Sequence, residues 1–292
     1  MKRDSNRFGR WRGAADSIRP FSHWNKHAQQ WRYVKAPLRP CAEDIALIER
    51  ALAENFPTET TLDALMLGVT PELAANSWMP ALNLVAVDNT LAMIQSVWPE
   101  NDAHRTVLCG NWLQLPLHDA CMNLAMIDGG LPAISFPDAH QKLAMELHRV
   151  LKPGGLFIAR IFARPDNTES VDDVLTAAYG RQIGNFHIFK WRLAMALQDG
   201  NANRGVRVDD VWRSVDKHFG QPARLAELTG WPINEISTID AYRGSQASYH
   251  FPSIGEMVDA LEDAFQCVDE KRGTYELAER CPILVFRRRE GQ

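Results

Sequence analysis

The stretch Leu147-His148-Arg149-Val150-Leu151-Lys152-Pro153-Gly154-Gly155 decides the fold, because a helix ends in it and a strand follows it. Residues 137–151 carry apolar side chains at helical spacing, and the proline and the two glycines that follow stop a helix. The apolar run 156–162 is typical of a buried strand. A helix that leads into a buried strand is one unit of an alternating α/β fold.

Short apolar runs upstream repeat this alternation. They occupy residues 62–67, 82–87, 106–109 and 124–127, and helical stretches lie between them at 71–77 and 90–98. Strands that alternate with helices form a parallel sheet covered on both faces. The sequence therefore predicts a doubly wound α/β sheet.

Three other parts of the chain differ from this core. Residues 1–58 hold a polar arm with many aromatic side chains and a helix over 42–55, and residues 166–250 show helical stripes without strand signals. A helix capped by Ser253 and Glu256 and two strand-like runs then return the chain to the sheet. We predict four segments: an N-terminal arm, lid and helix (1–58), a core (59–165), a helical cap insert (166–250) and the end of the core (251–292).

Composition and charge limit the kinds of molecule that the chain can bind. The chain has 292 residues, a formal net charge of -4 and a pI near 6.1, so it lacks the broad basic field that dominates binding to nucleic-acid phosphates. No stretch approaches the roughly 20 apolar residues of a membrane span, and the first residues lack the apolar run that is typical of a signal peptide. The five scattered cysteines show no metal-ligand spacing. We expect a cytoplasmic protein with a small-molecule partner, no metal and no membrane contact.

The turn after the first strand is the first candidate site. Ligands of a doubly wound sheet bind at the carboxyl ends of the strands, and this turn is Gly68-Val69-Thr70-Pro71-Glu72. Gly68 lets the backbone leave the strand, and Thr70 can cap the next helix. The turn lacks the GxGxxG pattern of a pyrophosphate cradle, and Glu72 puts a carboxylate where a phosphate would lie. A dinucleotide ligand is disfavoured.

Polar residues also end the next three strands. Asp88 lies 20 residues beyond Gly68 and is well placed to accept hydrogen bonds from ribose hydroxyls, although Asp88 or Asn89 could instead cap the following helix. Gly110-Asn111-Trp112 offers an amide and a ring to an adenine. Asp128 ends the fourth strand.

In this order, the segments 65–68, 87–88, 110–117 and 147–155 resemble the class I S-adenosylmethionine-dependent methyltransferases, particularly the small-molecule, methyltransferase type 11-like branch. The resemblance covers about residues 60–163 and resumes at residue 251. It implies a Rossmann-like seven-stranded sheet with an antiparallel last strand, S-adenosyl-L-methionine as the cofactor, and methyl transfer as the activity.

The resemblance also implies a set of cofactor-binding residues. Gly68 would lie at the methionine end, Asp88 on the ribose, and Asn111 with Trp112 at the adenine. The remaining members of the implied set are Thr70, Asn89, Met93 and Asp128. The chain departs from the family at Met66, where an acidic residue is usual, and at Thr70 and Glu72, where glycines are usual. These departures motivate an alternative function as a non-catalytic, methyltransferase-like scaffold.

Candidates for chemistry and acceptor binding complete the predictions. Methyl transfer needs alignment, exclusion of water and, for oxygen or nitrogen acceptors, a base. Asp128 and His140 are the candidate catalytic residues, with a turn-forming Asp and a polar surface His as the structural interpretations. The predicted acceptor contacts come from the arm and the cap, where the same aromatic side chains could equally be core: Trp24, Tyr33, Phe186, Tyr242, Arg243 and Tyr249. A second alternative is an RNA methyltransferase guided by the basic arm from Lys2 to Arg19.

Overall fold

The computed structural model describes residues 23–290. The basic arm from Lys2 to Arg19, on which the RNA alternative depends, lies outside the described residues. Within residues 23–290 no helix is long and apolar enough to cross a membrane. All five cysteines fall in this range and are free thiols. In the same range, no three His, Cys, Asp or Glu side chains are grouped as a metal site requires.

The strands form one seven-stranded sheet and a separate small ribbon. Their bounds are β1 Thr61–Leu67, β2 Ala81–Asp88, β3 Arg105–Cys109, β4 Met122–Asp128, β5 Leu151–Arg160, β6 Val206–Arg207, β7 Ser248–Tyr249, β8 Phe265–Lys271 and β9 Ile283–Arg288. The large sheet has the order β3-β2-β1-β4-β5-β9-β8. Strands β1 to β5 are parallel, and β9 is antiparallel to both of its neighbours. The predicted doubly wound sheet with an antiparallel last strand is confirmed.

The helices alternate with the strands in the core and follow one another in the cap. They are α1 His23–Gln30, α2 Ala42–Asn55, α3 Pro71–Ala75, α4 Leu91–Val97, α5 Asp138–Val150, α6 Val171–Tyr179, α7 Phe186–Gln198, α8 Val208–Phe219, α9 Pro222–Thr229, α10 Ile233–Ile236 and α11 Ile254–Leu261. Short 3-10 helices lie at Trp31–Tyr33, Leu131–Ala133, Ser237–Tyr242 and Ala278–Arg280. Ser253 caps α11 by bonding to the backbone and side chain of Glu256, as predicted.

Both faces of the sheet are buried, which explains the continuous apolar runs. Leu65 and Leu67 point to the face covered by α5 and α11, whereas Ala64 and Met66 point to the face covered by α2 and α3. Side chains alternate along a strand, so each apolar run supplies both cores. The polar residues that follow each run are thereby left at the carboxyl edge of the sheet.

Two local predictions need correction. Strand β5 begins at Leu151 rather than at residue 156, because Lys152 to Gly155 form a bulge: Met122 pairs with Leu151, and Leu124 pairs with Leu156. Gly154, at φ +72°, allows this bulge. The cap is not wholly helical, because β6 and β7 form an antiparallel ribbon within it. Two-residue strands are too short to show a period in sequence.

Candidate functional site

The turn after β1 brings the first candidate residues together. Gly68 adopts φ +92°, which favours glycine, and its amide donates to Val87 O at 2.8 Å. A side-chain carbon added at Gly68 would lie 3.7 Å from the Trp112 ring and 3.9 Å from Asp88 Oδ2. The Trp112 Nε1–H donates to Val87 O at 2.7 Å, which fixes the indole across the strand ends. Gly68, Asp88 and Trp112 therefore share one corner of the sheet edge.

Asp88 is a buried carboxylate without a cationic partner among residues 23–290. Burial raises its pKa to about 6, and hydrogen bonds with Thr90 oppose that rise. Its Oδ1 accepts the Thr90 amide at 2.7 Å. One oxygen thus holds the turn before α4, whose N-cap is Thr90 rather than Asp88 or Asn89, while Oδ2 faces Gly68.

This corner has the chemistry that a nucleoside requires. Ribose hydroxyls are donors, which a buried carboxylate accepts well, and the half-buried indole of Trp112 offers an apolar surface to a base. The side chains of Asn89 and Asn111 are exposed at the rim, where they accept hydrogen bonds from Thr90 and Leu113. Met93 is buried beneath it against Val69. The residues present fit the nucleoside half of the expected cofactor.

The methionine half of the expected site departs from the family pattern. Thr70 is buried and is the N-cap residue of α3, as predicted, but its side chain makes no capping hydrogen bond. Glu72 Oε1 accepts from Arg39 Nε of the arm at 2.5 Å, which places a cation beside the unusual carboxylate. Met66 is fully buried and packs toward α2 and α3, on one face of the sheet.

Asp128, at the end of β4, is held in a buried ion pair. Arg160 Nε of β5 donates to Asp128 Oδ1 at 2.5 Å, and Arg160 Nη1 donates to Pro37 O at 3.0 Å and lies 3.8 Å from Asp44. Burial raises the pKa of Asp128 and the guanidinium opposes that rise. A carboxylate committed to a guanidinium is a poor proton acceptor, so the geometry favours the structural interpretation of Asp128 over a catalytic one.

His140 is fully buried on α5 and is not the polar surface residue of the structural interpretation. Its Nδ1 lies 3.2 Å from Ser135 O, its ring meets Phe136 edge to face, and its Nε2 has no hydrogen-bond partner within residues 23–290. Burial lowers its pKa to about 4, so the ring is neutral near pH 7. These contacts lie between β4 and α5 and involve neither Asp88 nor Trp112.

Helix α1 lies between the turn after β1 and the cap. Ala28, with Trp24 and Trp31, packs in one cluster with Val69 and Met93. On another side of the helix, His23 Nε2 is 2.9 Å from Tyr249 Oη, and the rings of His27 and Tyr242 meet at 5.4 Å. The part of the arm predicted to be a lid thus touches the core and the cap together.

Most of the predicted acceptor contacts gather beside α1. Tyr242, Tyr249 and Phe186 are buried around α7, and Tyr33 is half-buried and offers its carbonyl to His187 Nε2 at 2.9 Å. Trp24 lies on α1 against the rings of His23 and His27. Arg243 is not among them, because it is exposed and its guanidinium covers the Trp212 ring at 4.9 Å.

Sequence reasoning missed three charged or titratable residues at this edge. Arg160 is a cation inside an apolar run, and His187 and Lys190 lie three residues apart in a mostly apolar helix. Residues with this spacing share a helix face. A charged side chain inside an apolar pattern was the signal that could have identified all three.

Comparison with known proteins agrees with this architecture. Residues 65–159 match a family model described as a methyltransferase domain. No match was found among curated proteins.

Solved structures that are similar to this chain include the following three. The methyltransferase in a complex with the Trm112 methyltransferase activator of Haloferax volcanii is 13% identical, with 93% of this chain and 99% of that chain covered and a TM-score of 0.50. The N-methyltransferase NodS of Bradyrhizobium japonicum, in complex with S-adenosyl-L-homocysteine, is 12% identical, with 91% and 100% covered and a TM-score of 0.47. An S-adenosylmethionine-dependent methyltransferase of Mesorhizobium loti is 15% identical, with 82% and 96% covered and a TM-score of 0.45. At such identities the likeness to the Haloferax volcanii protein shows the fold alone.

Proposed function

We propose that the chain, which is a class I S-adenosylmethionine-dependent methyltransferase by the match of its residues 65–159 to the methyltransferase domain, methylates a small molecule held between core and cap. The observation that carries this proposal is the position of α1. One side of α1 packs with Val69 beside Gly68, and another meets Tyr242 and Tyr249 of the cap.

In this proposal the nucleoside binds at the ends of β1, β2 and β3. Asp88 accepts hydrogen bonds from the ribose hydroxyls, Trp112 and Asn111 border the adenine, and Asn89 and Met93 flank the adenosine. The backbone at Gly68 and the hydroxyl of Thr70 lie toward the methionine tail. Bound S-adenosylmethionine supplies an electrophilic methyl group.

The acceptor in this proposal lies above the ends of β4 and β5. Phe162, just after β5, covers Gly129, where an added side-chain carbon would lie 2.5 Å from the ring. The Phe162 ring meets Trp191 of α7 edge to face at 5.2 Å, which joins the sheet edge to the cap. Aromatic walls and a helix laid across them exclude water from a reactive sulfonium, and they suit a small apolar molecule better than a folded RNA.

A labelling experiment tests the class of acceptor. The full-length protein is incubated with S-adenosylmethionine labelled in the methyl group, together with a low-molecular-mass cell extract or with total RNA. We expect label to enter the small-molecule fraction. Label that enters RNA alone would replace this proposal with the RNA alternative. Calorimetry with S-adenosylhomocysteine serves as the control for an active preparation.

A further inference from the structure

Lys190 is a buried cation to which residues 23–290 offer no counter-charge. Its side chain is fully buried in α7, and Nζ has no hydrogen-bond partner in this part of the chain. No carboxylate of the same residues forms an ion pair with it, and burial alone lowers its pKa, to about 7. Burying an ammonium in this way is unfavourable unless something compensates the charge.

Aromatic rings and titratable groups surround the ammonium. Nζ lies 4.8 Å from the centre of the Tyr242 ring and 5.8 Å from those of Phe186 and Trp191. The titratable groups around it are His23 and His27 from α1, His187 from α7, and Tyr242, whose ring contacts Tyr249 of β7. Cation–π contacts offset part of the desolvation, but none of these groups is an anion near pH 7.

The Lys190 ammonium lies in the region where the acceptor is expected. Trp191, the next residue, packs on Phe162 after β5, and His187 Nε2 lies 2.9 Å from Tyr33 O of the arm. Lys190 is therefore near the carboxyl ends of β4 and β5, which is where ligands of doubly wound sheets bind.

We propose that Lys190 pairs with an anionic group, a carboxylate or a phosphate, on an otherwise apolar methyl acceptor. This inference rests on the proposed function and names the class of its substrate. The anion supplies the missing counter-charge, and the rings of Phe186, Trp191 and Tyr242 contact the apolar part. His187 does not share this role, because its Nε2–H donates to Tyr33 O and burial lowers the pKa of the ring to about 3, which leaves Nδ1 as an acceptor.

Helix α1 covers one side of this site and is the element that moves to admit the acceptor. His23 is 2.9 Å from Tyr249 Oη, and Gln30 Nε2 donates to Ser237 O at 3.5 Å. Because these contacts between α1 and the cap are polar, the helix can separate from the cap to admit the acceptor and then close over it.

The test compares an anion with its neutral analogue on the full-length protein saturated with S-adenosylhomocysteine. Benzoate and phenyl phosphate are the anionic probes, and benzamide is the neutral one. We expect the two anions, or one of them, to raise the melting temperature more than benzamide does at equal ionic strength. The Lys190→Met variant should bind the active anion about 10- to 100-fold more weakly, which is the usual worth of a hydrogen bond to a charged group.

Controls separate this proposal from the proposed function. Lys217→Met removes an exposed lysine of the same cap and should leave the anion affinity unchanged. Lys190→Gln replaces Lys190→Met if the latter does not fold. Equal stabilisation of the wild type by the anions and by benzamide, or an unchanged anion affinity in the Lys190 variant, would overturn the anion site. If the wild-type protein fails to bind S-adenosylhomocysteine by calorimetry, the proposed function fails instead.

Discussion

Two aspartates end parallel strands of the same sheet in opposite electrostatic surroundings. Asp88 of β2 is buried with no cation beside it in the described part of the chain, whereas Asp128 of β4 is paired with the equally buried Arg160. A buried charge is stable when it is paired, so the pair at Asp128 needs no ligand. Asp88 and Lys190 have no ion-pair partner among the described residues and are available to a partner from outside the chain.

The largest expected effect is the loss of stability when the ion pair between Asp128 and Arg160 is broken. Arg160→Met leaves Asp128 and Asp44 buried without their guanidinium and should lower the free energy of unfolding by about 3 to 5 kcal/mol. Urea denaturation measures this loss. Arg272→Met is the matched control, because Arg272 pairs with Glu270 at the surface and should contribute less than about 1 kcal/mol. Equal effects of the two substitutions would refute a special role for the Arg160 pair.

The two aspartates themselves should differ in stability when each is replaced by asparagine. Asp128→Asn weakens a charged hydrogen bond and should cost about 1 to 3 kcal/mol of unfolding free energy, whereas Asp88→Asn removes an unpaired buried charge and should change it little. Thermal unfolding of both variants without cofactor gives the comparison. A larger loss of unfolding free energy in Asp88→Asn than in Asp128→Asn would contradict the conclusion that Asp128 is the structural carboxylate of the two.

Lys190→Met should stabilise the protein, by about 1 kcal/mol near pH 7, because it replaces an unpaired buried ammonium with an apolar side chain of similar length. Burial lowers the pKa of this lysine from its ordinary value of 10.5 to about 7 in the folded chain. Between these values the unfolded chain binds the extra proton, so wild-type stability rises with pH relative to the variant. The advantage of Lys190→Met should shrink from pH 7 to about pH 10 in denaturation curves. A constant difference would contradict the burial of a titrating ammonium.

The smallest expected effect is the pH dependence of cofactor affinity. Asp88 has a pKa raised to about 6, so it is protonated below that pH and accepts ribose hydroxyls less well. Affinity for S-adenosylhomocysteine should rise with pH through about 6 in the wild type. Calorimetry of Asp88→Asn across the same range should show an affinity that depends less on pH. The same pH dependence in both proteins would show that Asp88 does not cause it.

The contrast between paired and unpaired charges also explains what could be predicted from the sequence. The sheet and the position of Asp88 follow from local patterns, since a short apolar run and the polar residue after it are adjacent in the chain. The partner of Asp128 is 32 residues away, and Glu72 is paired with Arg39 from the arm. Whether a charged residue meets a partner depends on such long-range contacts, which periodicity does not show.

The cap shows the same limit of prediction from sequence, since long-range contacts decide where its side chains lie. Phe186, Tyr242 and Tyr249 are predicted acceptor contacts because they lie in the cap, and the structure packs Phe186 and Tyr242 around Lys190 and Tyr249 against Tyr242. Arg243 was predicted with them on composition, but it lies on Trp212 at the surface. The burial of His140 was likewise invisible in a helix whose sequence is amphipathic.

The central claim is that a buried carboxylate without an ion-pair partner marks the cofactor site. Calorimetric titration of S-adenosylhomocysteine into wild type and Asp88→Asn tests it most directly, at a pH well above the value of about 6 to which burial raises the pKa of Asp88. We predict that the folded variant binds more weakly by about 1 to 3 kcal/mol, because the ribose hydroxyls lose their charged acceptor. Equal affinity in the two proteins would contradict the account.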